Sequence, residues 1–97
     1  MRRLESSVQT SILSKLRQIP NSDWIKPTQT NMAGTPDVLG HINGRFVAIE
    51  IKRDEQSKPT ALQRYHIERL KEHGAIAFVA WNFEMIREEL ARHGIRI

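Results

Sequence analysis

"PDVLGHINGRFVAIEIK", residues 36–52, is the stretch whose reading decides the fold. Two β-rich runs flank Asn43-Gly44. Asn-Gly between such runs is the strongest short-range hairpin signal, because a type I′ turn needs positive φ at both central residues. A two-residue loop there sets Ile42 opposite Arg45. Walking outward, Leu39 meets Ala48, Val38 meets Ile49 and Asp37 meets Glu50. Side chains alternate across a strand, so Glu50 and Lys52 share a face with Ala48 and Phe46. Two carboxylates thus become direct cross-strand neighbours, with Cβ atoms roughly 4.5–5.5 Å apart.

For folding alone this is a poor arrangement. Two unit charges about 5 Å apart repel by on the order of 3 kcal/mol at an effective dielectric near 20. A favourable cross-strand pair returns only about 0.2–1 kcal/mol. A cation must compensate, and two candidates fit. Lys52, one pleat beyond Glu50, can close a structural ion cluster. A divalent metal does so better: Mg2+ takes oxygen ligands at ~2.0–2.1 Å and is commonly held by one or two carboxylates, waters and phosphate oxygens.

Outward from the hairpin the chain reads as one domain, residues 1–97, with no internal repeat, low-complexity tract or linker. Leu4, Val8, Ile12, Leu16 and Ile19 form the stripe of an amphipathic helix that Pro20 closes. "DWIKPT" (23–28) is a short strand candidate that Pro27 places at an edge or ends, and "TQTNMAGTP" (28–36) is irregular. Within "DEQSKPTALQRYHIERLKEHG" (54–74) a helix is predicted with Ser57 as N-cap, Pro59 in its first turn and Gly74 at its end. Its face is traced by Leu62, Tyr65, His66 and Leu70. "AIAFVAW" (75–81) is a buried strand, and Asn82 caps a last helix through Leu90, with Gly94 beyond. The order is α-β-β-β-α-β-α, an α/β sandwich of one mixed sheet flanked by helices.

The composition fits a globular chain: 39% hydrophobic, 27% charged and no cysteine, which excludes disulfide frameworks and thiolate metal sites. No apolar run approaches the ~20 residues of a membrane span, and the N-terminus lacks a signal-peptide core, so a cytoplasmic location is expected. Fifteen basic residues against eleven acidic ones give a net charge of +4. Such a domain suits a polyanionic partner, most often nucleic acid. Clustering of the acids would leave the remaining surface more basic still. The four histidines show no zinc-ligand spacing, and Trp24, Trp81 and Phe83 suit a core or interface better than a base-stacking platform.

"GTPD" (34–37) followed by "EIK" (50–52) resembles the PD-(D/E)xK nuclease superfamily, which includes restriction endonucleases and Holliday-junction resolvases. With "FVAIEIKR" (46–53) and the glutamine of "PTALQRYHIERL" (59–70), the chain resembles the virus-type replication-repair nuclease family, VRR-NUC, in its small single-domain bacterial and phage form. The resemblance runs from Glu5 to the last helix. It implies a restriction-endonuclease-like fold and a site in which Asp37, Glu50 and the backbone carbonyl of Ile51 bind Mg2+ or Mn2+. Lys52 would stand beside the attacking water, Gln63 would support the site from its helix, and Glu5 matches an acid near the metal. An acid in a helix's first turn is also favourable on dipole grounds alone, and Gln63 also reads as an ordinary helix-surface amide. Tyr65 follows the glutamine by two positions, whereas RecB-type relatives place a tyrosine four after it, so that role is not carried over.

The function implied is metal-dependent endonucleolytic hydrolysis of DNA, with Holliday-type four-way junctions as substrate and a homodimer matching paired incisions. The runner-up readings are a less selective nuclease of flaps, ends or duplex, and a basic DNA-binding module whose acids are structural. Two neighbouring carboxylates hold Lys52 as a cation, so it orients water and stabilises charge rather than abstracting a proton. Arg53, Lys58 and Arg64 are the candidate phosphate contacts. Arg2, Arg3, Lys15, Arg17, Arg69, Lys71, Arg87 and Arg92 read as solvated helix faces.

Overall fold

The computed structural model describes residues 4–28 and 31–97; Arg2 and Arg3 lie outside the described residues. Asn43 and Gly44 adopt φ of 52° and 79°, both left-handed, as a type I′ turn demands. The turn joins β2 (Val38–Ile42) to β3 (Arg45–Ile51) in the expected register, with Val38 opposite Ile49, Leu39 opposite Ala48 and Ile42 opposite Arg45. On the far side of β2 lies the edge strand β1 (Ser22–Ile25), antiparallel; beyond β3 lies β4 (Ile76–Ala80), parallel. The result is one mixed sheet in the order β1-β2-β3-β4.

The parallel β3–β4 pair requires a crossover, and α2 (Ala61–Glu72) supplies it. Val8, Ile12 and Leu16 of α1 (Glu5–Leu16) and Ile86 and Leu90 of α3 (Phe83–Arg92) share the main core with Val38, Ile42, Val47, Ile49 and Ile51. On the opposite face Ile67 of α2 packs on Ala48 and Ala77, with Leu39 and Leu70 partly buried beside them. This is the α-β-β-β-α-β-α sandwich expected. Among the described residues no helix is long and apolar enough to cross a membrane.

Three local expectations need correction. Leu4 is the N-cap residue of α1 and is exposed, because the helix starts one residue after it and leaves it off the buried stripe. Ser57 does not cap α2; its N–H and hydroxyl bind Asp54 Oδ1 at 3.1 and 3.3 Å in a preceding turn. Thr60 is the cap, in a box with Gln63: the Gln63 N–H donates to Thr60 Oγ1 at 3.1 Å, and Thr60 N–H donates to Gln63 Oε1 at 2.8 Å. Pro59 therefore precedes the helix. Finally, the α2 face centred on Ile67 is the buried one, while Leu62 and Tyr65 stay exposed. A period of 3.6 is compatible with either stripe, and only docking on Ala48 and Ala77 chooses between them.

Gly40 shows how tightly the edge is built. A Cβ there would collide with the Asp23 carbonyl and with the ring of Trp24, which is 5% exposed. Gly40→Ala should therefore lower the urea midpoint, by about 1–3 kcal/mol in stability, as overpacking does. An unchanged midpoint would mean that β1 shifts freely.

Candidate functional site

Asp37 sits just before β2, as the hairpin continues outward. Its Oδ2 accepts the Ile51 N–H at 2.8 Å, extending the ladder by one side-chain bond. Lys52 N–H donates to Ala80 O at 2.9 Å, which ties the other edge of β3 to β4. Between these anchors Glu50 is 1% exposed, its carboxyl within hydrogen-bond reach of Asp37. Two ionised carboxylates cannot hydrogen-bond to each other, so this contact calls for a proton or a cation. Glu50 Oε1 is buried with no hydrogen-bond partner.

Electrostatics states the same demand. Burial first, then the Asp37 contact and charge, and least the Glu5 charge raise the Glu50 carboxyl; with Lys52 pulling back, the net is a rise to about 8. Lys52 Nζ stands 3.7 Å from Glu50 Oε2 and 3.8 Å from Glu5 Oε1. Helix α1 thus delivers Glu5, its first residue, to the end of β3. Two carboxyls face the ammonium, and a third, Asp37, meets Glu50. Without a further cation, neutrality is approached by protonating Glu50, the most buried acid.

The donor set fits a hard divalent ion. It consists of oxygens only, one of them buried and without a donor, in a cluster with surplus negative charge. Among the described residues no three His, Cys, Asp or Glu side chains form a complete ligand set. Two carboxylates by themselves leave most positions round an ion to water, as Mg2+ commonly keeps them.

The structure therefore brings together Asp37, Glu50, Lys52 and Glu5, with the Ile51 N–H held by Asp37. It does not bring Gln63 to them through any hydrogen bond; the Gln63 side-chain oxygen is occupied at its own helix cap. Of the basic candidates, Arg53 folds back on Asp54 at 3.4 Å and Ser57 at 3.5 Å, whereas Lys58 and Arg64 are exposed. Lys71, Arg87 and Arg92 pair with acids three residues earlier on their own helices, the solvated faces expected.

One contributor escaped the sequence reading. His66 Nε2 lies 3.0 Å from Ala33 O, which pins the loop leading into Asp37 against α2. Gly34 follows at φ 81°, where a Cβ would crowd Leu62 and His66. Nothing local in the sequence links His66 to a loop more than thirty residues away.

No protein-family model matches the sequence, and no curated protein does. Solved structures do. A structure described as "VRR_NUC domain" is 27% identical, with a TM-score of 0.76, over 94% of this chain and 97% of that one. A second, "VRR_NUC domain protein", is 23% identical with a TM-score of 0.73, over 94% of this chain and 88% of that one, and supports the fold.

Proposed function

This chain belongs to the VRR-NUC family of nuclease domains, and from that premise we propose a metal-dependent, structure-selective DNA endonuclease. In this reading its substrate is a branched DNA, a Holliday-type four-way junction, cut by a homodimer in the cytoplasm of a bacterium or of a phage-infected host. The observation that carries it is the meeting of Asp37 with buried Glu50 beside Lys52, an acid surplus that a fold without a cation-dependent task gains nothing from.

Asp37, Glu50 and the Ile51 carbonyl would hold Mg2+ or Mn2+, with Glu5 on the Lys52 side of the cluster. When bound, the ion supplies Lewis-acid polarisation of the scissile phosphate and stabilises charge on the leaving oxygen. Lys52, between Glu50 and Glu5, orients the attacking water and attracts the charge that builds on the phosphoryl oxygens. The water oxygen forms the new bond to phosphorus, its proton passes to solvent, and the P–O bond to the leaving sugar oxygen breaks as that oxygen takes a proton from solvent. Gln63 fixes the start of α2 through its cap, and Lys58, Arg64 and Arg53 supply phosphate contacts.

A cleavage panel of four-way junction, flap, single-stranded and linear DNA, with Mg2+, Mn2+ or EDTA, tests this. The expected result is metal-dependent cutting, strongest on the junction. Equal cutting of all substrates would leave a less selective nuclease, and binding without cutting would leave a DNA-binding module. Lys58→Ala is expected to weaken DNA binding and reduce the salt slope by about one unit, as loss of one phosphate contact should. An unchanged slope would remove Lys58 from the interface.

A further inference from the structure

Glu5, Gln9, Leu13 and the C-cap residue Arg17 follow one another at steps of four along α1, so they share one stripe of the helix. Glu5, at the head of the stripe, stands 3.8 Å from Lys52. One helical turn further on, a hollow of about 420 Å³ opens, lined by Gln9, Thr10, Leu13, Ser14, Arg17 and, from the sheet, Lys26. Lys26 follows β1, whose last residue Ile25 pairs with Leu39. Lys26 therefore leaves the sheet at the end where Asp37 enters β2. The hollow begins near the acid cluster and runs away from it along α1.

Its chemistry is one-sided. Two cations line it and no acid does. Lys71, Arg87 and Arg92 pair with acids three residues away on their own helices, whereas among the described residues neither Arg17 nor Lys26 has an ion pair or a ring partner. Both are exposed. Thr10 gives its hydroxyl proton to Ser6 O at 2.9 Å, which leaves Gln9 and Ser14 as neutral donors beside the two cations. Arg, Lys, Ser and Gln are side chains that contact DNA phosphates. Leu13 forms an apolar floor, but no aromatic ring lines the hollow, so bases find nothing there to stack on.

We infer that this hollow receives the phosphodiester backbone of a duplex arm of the substrate, which rests on the nuclease reading above and extends it to a second contact. Arg17 lies about 18 Å from Glu5 along the helix, at ~1.5 Å per residue. Phosphates on one strand advance ~3.4 Å along a duplex axis, so Arg17 meets the arm about five phosphates from the cut. An acidic protein would meet the same two cations. The stripe favours DNA, because it starts at the acid cluster where a scissile phosphate would lie.

The test measures binding of the full chain to a labelled four-way junction in EDTA, by fluorescence anisotropy across a salt series. Arg17→Ala combined with Lys26→Ala is expected to weaken binding roughly tenfold or more and to reduce the salt slope by about two units. Ser14→Glu, which adds an anion and leaves both cations in place, should weaken binding in the same direction. All three positions are exposed, and thermal unfolding of each variant checks that the fold is kept. Single phosphates along one arm are then neutralised as methylphosphonates. This should cost the parent affinity about five positions from the cut and cost the double variant nothing there. Equal losses for both chains at every phosphate overturn the inference. Polyglutamate that displaces the junction as well as unlabelled duplex does at equal charge would assign the hollow to an acidic protein, and overturns it too. Metal-dependent cutting with affinity and slope unchanged in the double variant counts against this surface alone. A slope that depends on Arg17 and Lys26 in a chain that cuts no DNA counts against the nuclease reading alone.

Discussion

Asp37→Asn is expected to abolish cleavage while leaving the metal-free protein as stable as the parent or more so. The oxygen that accepts the Ile51 N–H at 2.8 Å is retained by asparagine, so the ladder survives. The charge that opposes Glu50 is gone, and the contact between the two side chains becomes an ordinary donor–acceptor pair. Loss of an anionic ligand should lower the cleavage rate on the order of a thousandfold or more, since metal assistance is worth several kcal/mol of transition-state stabilisation. Asp37→Ala separates the two roles. It also removes the acceptor, and a part-buried N–H left unpaired costs about 1–3 kcal/mol. The checks are a single-turnover cleavage rate with Mg2+ and urea melts in EDTA. Cleavage retained by the asparagine variant removes Asp37 from the metal site. A lower urea midpoint for it would mean that the charge itself supports the fold.

In EDTA the parent protein should lose stability as pH rises from about 4.5 to 8. Glu50 titrates at about 8 when folded and at its ordinary value of 4.5 when unfolded. The folded state therefore keeps a proton that the unfolded state releases. That stabilisation is complete below 4.5 and is lost as pH climbs through 8, a fall on the order of 5 kcal/mol. Glu50→Gln, which imitates the protonated acid, should flatten this part of the profile and be more stable than the parent at pH 8.5. Parallel profiles for the two would show that Glu50 is not held neutral. The same substitution should abolish cutting, so stability and activity move in opposite directions at one residue.

The hairpin was legible because its cause is local. Asn43-Gly44 permits one tight turn, the turn sets the register, and the register sets Asp37 beside Glu50 with Lys52 on the same face. The other elements were legible by type and order, since apolar spacing and strand-forming residues act over a few positions. Their ends were less so. Ser57 and Thr60 both offer a hydroxyl to start α2, and the choice fell to Thr60 because Asp54 claims Ser57 and Gln63 completes the box. Gln63 read either as a support of the site or as a helix-surface amide, and its side-chain oxygen accepts the Thr60 N–H at the cap.

By itself, then, the sequence determined the element order, the type I′ turn and the pairing that sets two acids side by side, because φ/ψ preferences and strand alternation operate between near neighbours. The tertiary structure alone decided that Glu50 is buried deeply enough to hold a proton, that Glu5 reaches Lys52 from the start of α1, that His66 pins the loop before Asp37, and that Lys26 lines one hollow with Arg17. Each depends on where a helix docks against the sheet. Docking is settled by the summed packing of distant residues, which no short window of sequence contains.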